Sequence, residues 1–206
     1  MDSFFDYFQI LSGALFLLIL LVKTFHLRFT SNINPIAIGG GKRGLALAVE
    51  LIAFTGLAIW LAEVLLYALH SSFHLFPTSL NIQLIDSFVA KVVGVVLVSV
   101  GLLIFLSAYI SFGDSWRVGF DVKSPGALVT TGVFRYSRNP IYLFLNLWFL
   151  GTFLINGRLV FLIFAVMTAV VVHWQILQEE AFLLRLYGKP YEDYCARTGR
   201  YFTTEF

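Results

Sequence analysis

Arg138, Asn139 and Pro140 stand together in "YSRNPIYLF", at the entrance to an apolar run that continues to Gly151. About forty residues on, at the end of another apolar run, Glu179 and Glu180 are adjacent. A guanidinium fork grips carboxylates, and carboxylates receive hydroxyls and ammonium groups. A proline in the first turn of a helix leaves the amides behind it free to face a ligand. Two carboxylates at a membrane boundary beside a cation are costly unless something pairs with them. Two readings follow: a polar pocket for a small ligand, or a solvated helix end with ordinary ion pairs.

What must position these residues is a membrane bundle. With 59% hydrophobic residues, 13% charged and a mean hydropathy of +0.84, 206 residues cannot be wrapped around one soluble core. Apolar runs near 5–22, 45–69, 84–110, 141–156 and 159–177 predict five spans, each needing roughly 20 residues. The expected fold is an all-α polytopic membrane protein with a cytoplasmic C-terminal helix. It forms one membrane domain over 1–206: a three-helix part over 1–110, and a part over 111–206 that gathers the polar and aromatic residues. Asp2 and Asp6 precede the first run in place of lysines, and no small-residue cleavage site closes it, so a retained helix is expected there and not a signal peptide.

The fourth run, 141–156, is about 24 Å long as a helix, and "NGR" at 156–158 turns the chain straight back. The resulting hairpin returns the end of span five to the level where span four begins. Glu179 and Glu180 are therefore expected beside Arg138 and Asn139.

Basic residues set the orientation. Lys23, Arg28, Lys42 and Arg43 lie between spans one and two, Arg117, Lys123, Arg135 and Arg138 between three and four, and Arg185, Lys189, Arg197 and Arg200 after five. Only Lys91 and Arg158 fall on the other side. The N-terminus is expected outside and the C-terminus in the cytoplasm. The single Cys195 can form no internal disulfide.

Several chemistries are excluded. "GGGKRG" at 39–44 has Ile36 where a P-loop needs its first glycine and Arg43 where it needs Ser or Thr, and reads as a basic turn at the lipid surface. No strand precedes a G-x-G-x-x-G, and four scattered histidines with one cysteine offer no metal spacing. No nucleic-acid partner is expected.

Other polar residues inside the runs carry weaker readings. His173 shares a helix face with Glu180, seven residues away, and a structural hydrogen bond near the interface is the favoured reading over a substrate contact. Glu63 and Lys91 lie at comparable depth and are expected to pair. Glu50, near the cytoplasmic end of span two, is a candidate to face a substrate.

"RNPIYLF" followed by "EEAFL", with "GALVTTGVFRYS" before the first block and "LYGKPYEDY" after the second, resembles the integral-membrane methyltransferases that include isoprenylcysteine carboxyl methyltransferase and the phospholipid N-methyltransferases. Their shared signature is R-H-P-x-Y-x-G followed by E-E-x-x-L, and the resemblance covers about residues 110–202. It implies S-adenosylmethionine bound at the cytoplasmic side, between the loop before span four and the helix after span five. Arg135, Arg138, Asn139, Pro140, Tyr142, Glu179 and Glu180 would be its neighbours, with Glu180, Arg138 and Asn139 nearest the chemistry. Arg138 or Arg135 suits the cofactor's carboxylate, and Glu179 or Glu180 its hydroxyls and amine. Tyr142 either lines this pocket or is a core aromatic. The acceptor would be a lipophilic amine, thiol or carboxylate reached among the membrane lipids, with Glu180 taking a proton only from an ammonium acceptor.

The chain departs from the pattern in four places, one of them the Gly-x-Gly that phospholipid methyltransferases carry before this block, for which Gly113 and Gly119 are too far apart. Asn139 replaces the commoner histidine, so no histidine-dependent proton step is assumed. Phe144 replaces a glycine, which implies a narrower pocket, and "RTGRYF" replaces the usual Val-Pro in the tail, which bears on how the last segment docks. Two rival readings remain. Membrane sterol reductases using NADPH have a similar C-terminal layout, but Ile141 stands where their asparagine does. The other rival is a non-catalytic membrane interaction protein.

Overall fold

A computed structural model describes residues 2–29, 44–113 and 128–203. The basic turn at 39–44, apart from Gly44, and the cations Lys42, Arg43, Arg117 and Lys123 lie outside the described residues. Each of the five apolar runs forms a helix: α1 (Asp2–Phe29), α2 (Leu45–Ala68), α3 (Phe88–Phe112), α4 (Pro140–Asn156) and α5 (Leu159–Tyr187). A short polar helix, α6 (Lys189–Arg197), follows. Four of these helices are long and apolar enough to cross a membrane, and α4, with 17 residues, is shorter. The protein is an all-α polytopic membrane protein.

Helix limits follow local chemistry. α5 runs ten residues past its apolar stretch because "QILQEEAFLLRLY" is rich in helix formers and meets no breaker before Gly188, whose φ is 59°. The start of α3 falls later than 84 because residues 82–85 are taken up by pairing with the hairpin turn. Gly157, at φ 63°, closes α4, and its carbonyl accepts from Leu84 N at 2.7 Å and Ile85 N at 3.0 Å. A Cβ at Gly157 would collide with the Ile85 carbonyl. Leu159 N donates to Ile82 O at 3.0 Å, and Arg158 Nη1 to Asn81 O at 2.7 Å. The loop between α2 and α3 is thus fastened to the α4–α5 turn.

α4 packs most extensively on α3. Gly94 and Gly151 meet where the two helices cross: a Cβ on Gly94 would lie 2.5 Å from Gly151 O, and one on Gly151 would lie 2.7 Å from Gly94 O. Lipid chains are as apolar as leucine, so close backbone approach replaces the hydrophobic effect as the source of helix association. Around this crossing sits an aromatic core of Phe16, Trp60, Phe105, Phe144, Trp148 and Phe149. Phe144 is fully buried there, 4.8 Å from the Phe105 ring and 5.1 Å from Trp148. Its bulk fills the packing between helices.

The expected Glu63–Lys91 pair does not form. Fully buried Glu63 instead accepts from Leu75 N at 2.9 Å and lies 3.3 Å from His74 Nδ1, while Lys91 is 3.3 Å from Asp86. Equal depth on antiparallel helices did not mean equal facing: the loop after α2 folds back over Glu63 before α3 begins.

Candidate functional site

At the other end of the bundle, the α4–α5 hairpin brings the two polar blocks together. Glu180 Oε1 accepts from Arg138 Nε at 3.2 Å, Arg138 Nη2 at 3.0 Å and Asn139 Nδ2 at 3.2 Å. Its Oε2 accepts from Arg200 Nε at 3.0 Å and Nη2 at 2.8 Å. The Arg138 and Glu180 side chains are each only 12% exposed. The remaining Arg138 nitrogen, Nη1, donates to the carbonyls of Cys195 at 3.1 Å and Thr198 at 2.8 Å.

The chain after α6 forms a strap over this cluster. Arg138 N donates to Gly199 O at 3.0 Å, Asn139 Nδ2 to Arg200 O at 3.1 Å and Thr203 N to Tyr136 O at 2.9 Å. Tyr194 Oη donates to Phe134 O at 2.7 Å, and burial raises its phenol pKa so that it remains a donor. The hydrogen bonds from Arg200 to Glu180 raise the guanidinium's already high pKa. His173, exposed on α5, lies with Nδ1 2.9 Å from Tyr201 Oη. The shared face of His173 and Glu180 is the face that receives the strap.

Local sequence explains the geometry. Pro140 opens α4 at a position that needs no amide donor, and Leu143 N already bonds to Asn139 O at 3.0 Å. Among the described residues, the amides of Ile141 and Tyr142 donate to nothing. Tyr142 Oη donates to Glu179 Oε2 at 3.0 Å. Glu50, 3% exposed, acts electrostatically on Tyr142. A second polar group thus forms from α2, α4 and α5, beside the Glu180 cluster but distinct from it.

Arg135 is not in either group. It lines a cleft of about 450 Å³ with Thr130, Thr131, Tyr136, Arg197 and Thr203, between the 3₁₀ turn Gly132–Arg135 and α6. Gly132, at φ 62°, holds that turn against α3, and a Cβ there would collide with Ser111 Oγ. The residues singled out in the sequence therefore fall into three places: Arg138, Asn139 and Glu180 in the strapped cluster, Tyr142, Glu179 and Glu50 next to it, and Arg135 in the cleft. Sequence reasoning missed Arg200 and Arg197. Arg200 stands in the departing tail "RTGRYF", and that departure was the available signal.

The fold and its polar end define a membrane protein built on a helical hairpin with paired motif blocks. Residues 89–190, a segment that holds nearly all of α3 and the whole of α4 and α5, match the phospholipid methyltransferase family. The chain is also 33% identical over 91 residues to a protein-S-isoprenylcysteine O-methyltransferase of Schizosaccharomyces pombe. That alignment covers 43% of this chain and 39% of the relative, so the chain matches well under half of the relative's length.

Proposed function

We propose that this protein transfers a methyl group from S-adenosylmethionine to a lipophilic acceptor reached from the membrane, at the end of the bundle where α4 begins. The observation that supports the reading best is that both motif blocks lie inside the family-matched segment and meet, through Arg138–Glu180 and Tyr142–Glu179. The cationic bias of the loops supports a cytoplasmic location for this end.

The residues present fit the cofactor at one place more than another. All five donors on Glu180 come from the protein, which leaves this carboxylate as a strap anchor and a poor proton acceptor. Glu179 and Glu50 supply negative charge next to the Tyr142 ring, which suits a sulfonium and its neighbouring ammonium. The free amides of Ile141 and Tyr142 suit the carboxylate. When bound, the cofactor supplies an electrophilic methyl group on a positively charged sulfur. The protein's own part is to orient the reactants in line and keep water out. Tyr142 positions Glu179, and the strap anchored on Glu180 holds the start of α4 in place.

Isothermal titration of the purified protein with S-adenosylhomocysteine tests this. Micromolar binding is expected, with roughly tenfold or greater weakening in Glu179→Gln, corresponding to a charged hydrogen bond of about 1.5–3 kcal/mol. Binding of NADPH in place of the adenosyl compound would sink the reading. For orientation, a cysteine at exposed position 196 in a Cys195→Ser background should be labelled from the cytoplasmic side only.

A further inference from the structure

The cleft between the 3₁₀ turn and α6 has a character that methyl transfer does not explain. Arg135 and Arg197 both border it. Neither guanidinium has a carboxylate within ion-pair distance among the described residues, although Glu192 and Asp193 on α6 are nearby in sequence and pair with Lys189. Arg197 makes one hydrogen bond, from Nε to the Asp193 carbonyl at 3.1 Å, which leaves its two terminal nitrogens free. Among the described residues no acidic side chain lines the cleft, and Thr130 and Thr131 are part of its wall. Its volume, about 450 Å³, lies in the range of small-molecule sites. Arg135, which borders it, stands five residues before the buried Pro140 at which apolar α4 begins, a position in sequence that suits the level of lipid headgroups.

From these features we infer that the cleft is a binding site for a phosphate-type oxyanion, held by the Arg135 and Arg197 forks and the threonine hydroxyls. Planar guanidinium pairs match the oxygen spacing of phosphate, and basic pockets at the membrane surface collect anionic headgroups. An amino-acid carboxylate fits poorly: its ammonium would enter beside two cations with no acceptor carboxylate to receive it. The site is therefore separate from the one proposed for the cofactor and stands whether or not methyl transfer occurs. Two sources carry the chemistry, the phosphodiester of a membrane lipid and free phosphate, and the closeness of Arg135 to the start of the apolar helix α4 favours the lipid.

Thermal unfolding of the full chain in a phosphate-free non-ionic detergent tests the inference with three additives: dihexanoyl phosphatidylglycerol, the matching diacylglycerol, and inorganic phosphate. The phospholipid should raise the melting temperature in a saturable way and the diacylglycerol should not. Arg135→Gln/Arg197→Gln should weaken the phospholipid response at least tenfold in apparent affinity, and Lys189→Gln should leave it intact. Because both arginines are exposed, the double variant should fold, and Arg135→Lys/Arg197→Lys should retain part of the response. Inorganic phosphate giving the full shift by itself would support the site and make its source soluble. An equal response to diacylglycerol, an unchanged response in the double glutamine variant, or displacement of the phospholipid by S-adenosylhomocysteine would each overturn the inference. Loss of S-adenosylhomocysteine binding in Glu179→Gln with this response intact would separate the two sites.

Discussion

Glu63 and Glu180 are both carboxylates with little exposure, at opposite ends of one bundle, and they are held in different ways. Glu63 receives one backbone amide and the approach of one imidazole, both from the loop that follows its own helix. Glu180 receives five donors from three side chains, two before α4 and one after α6. The first carboxylate closes a local loop, and the second ties together segments that are far apart in sequence. A buried carboxyl group is tolerated in either setting, but only the second makes distant parts of the chain depend on one side chain.

Removing each carboxylate should expose that difference. Glu180→Ala leaves Arg138 and Arg200 facing each other without an anion, and should cost about 3–5 kcal/mol. A lower melting temperature together with rapid proteolysis within residues 198–203 would show it; a melting temperature equal to wild type would end the view of Glu180 as an anchor. Glu63→Gln keeps an acceptor for Leu75 N, so the expected loss is about 1–2 kcal/mol. The loop at 69–87 should become protease-sensitive while the strap stays protected. Arg200→Gln sharpens the contrast, because its side chain is 38% exposed and solvent screens it: roughly 1 kcal/mol is expected. The smallest effect belongs to Tyr201→Phe, which removes the bond to exposed His173 and should shift stability by about 0.5–1 kcal/mol. A strap released by Tyr201→Phe alone would move the anchor from Glu180 to His173.

The meeting of Arg138 with Glu180 was legible because hairpin arithmetic needs only two helix lengths and a turn. The family resemblance was legible from two short blocks. Arg200 was not, since the strap is held largely through the carbonyls of Cys195, Thr198, Gly199 and Arg200, and any residue presents a carbonyl. The Glu63–Lys91 expectation failed for a related reason: depth follows from counting along a helix, but which way a side chain faces depends on how its neighbours cross. The Gly94–Gly151 crossing had a signal in the sequence, glycines Gly94 and Gly101 seven apart in an apolar run, which place small residues on one face of α3.

Arg200 follows Glu180 by 20 residues, and it leaves the ribosome after each of the helices α1–α5. During synthesis, α4 and α5 therefore enter the bilayer while Glu180 has only Arg138 and Asn139 for company, and the carboxylate waits at the membrane surface for its last partner. A chain interrupted before residue 200 would carry both family blocks with the charge between them half compensated.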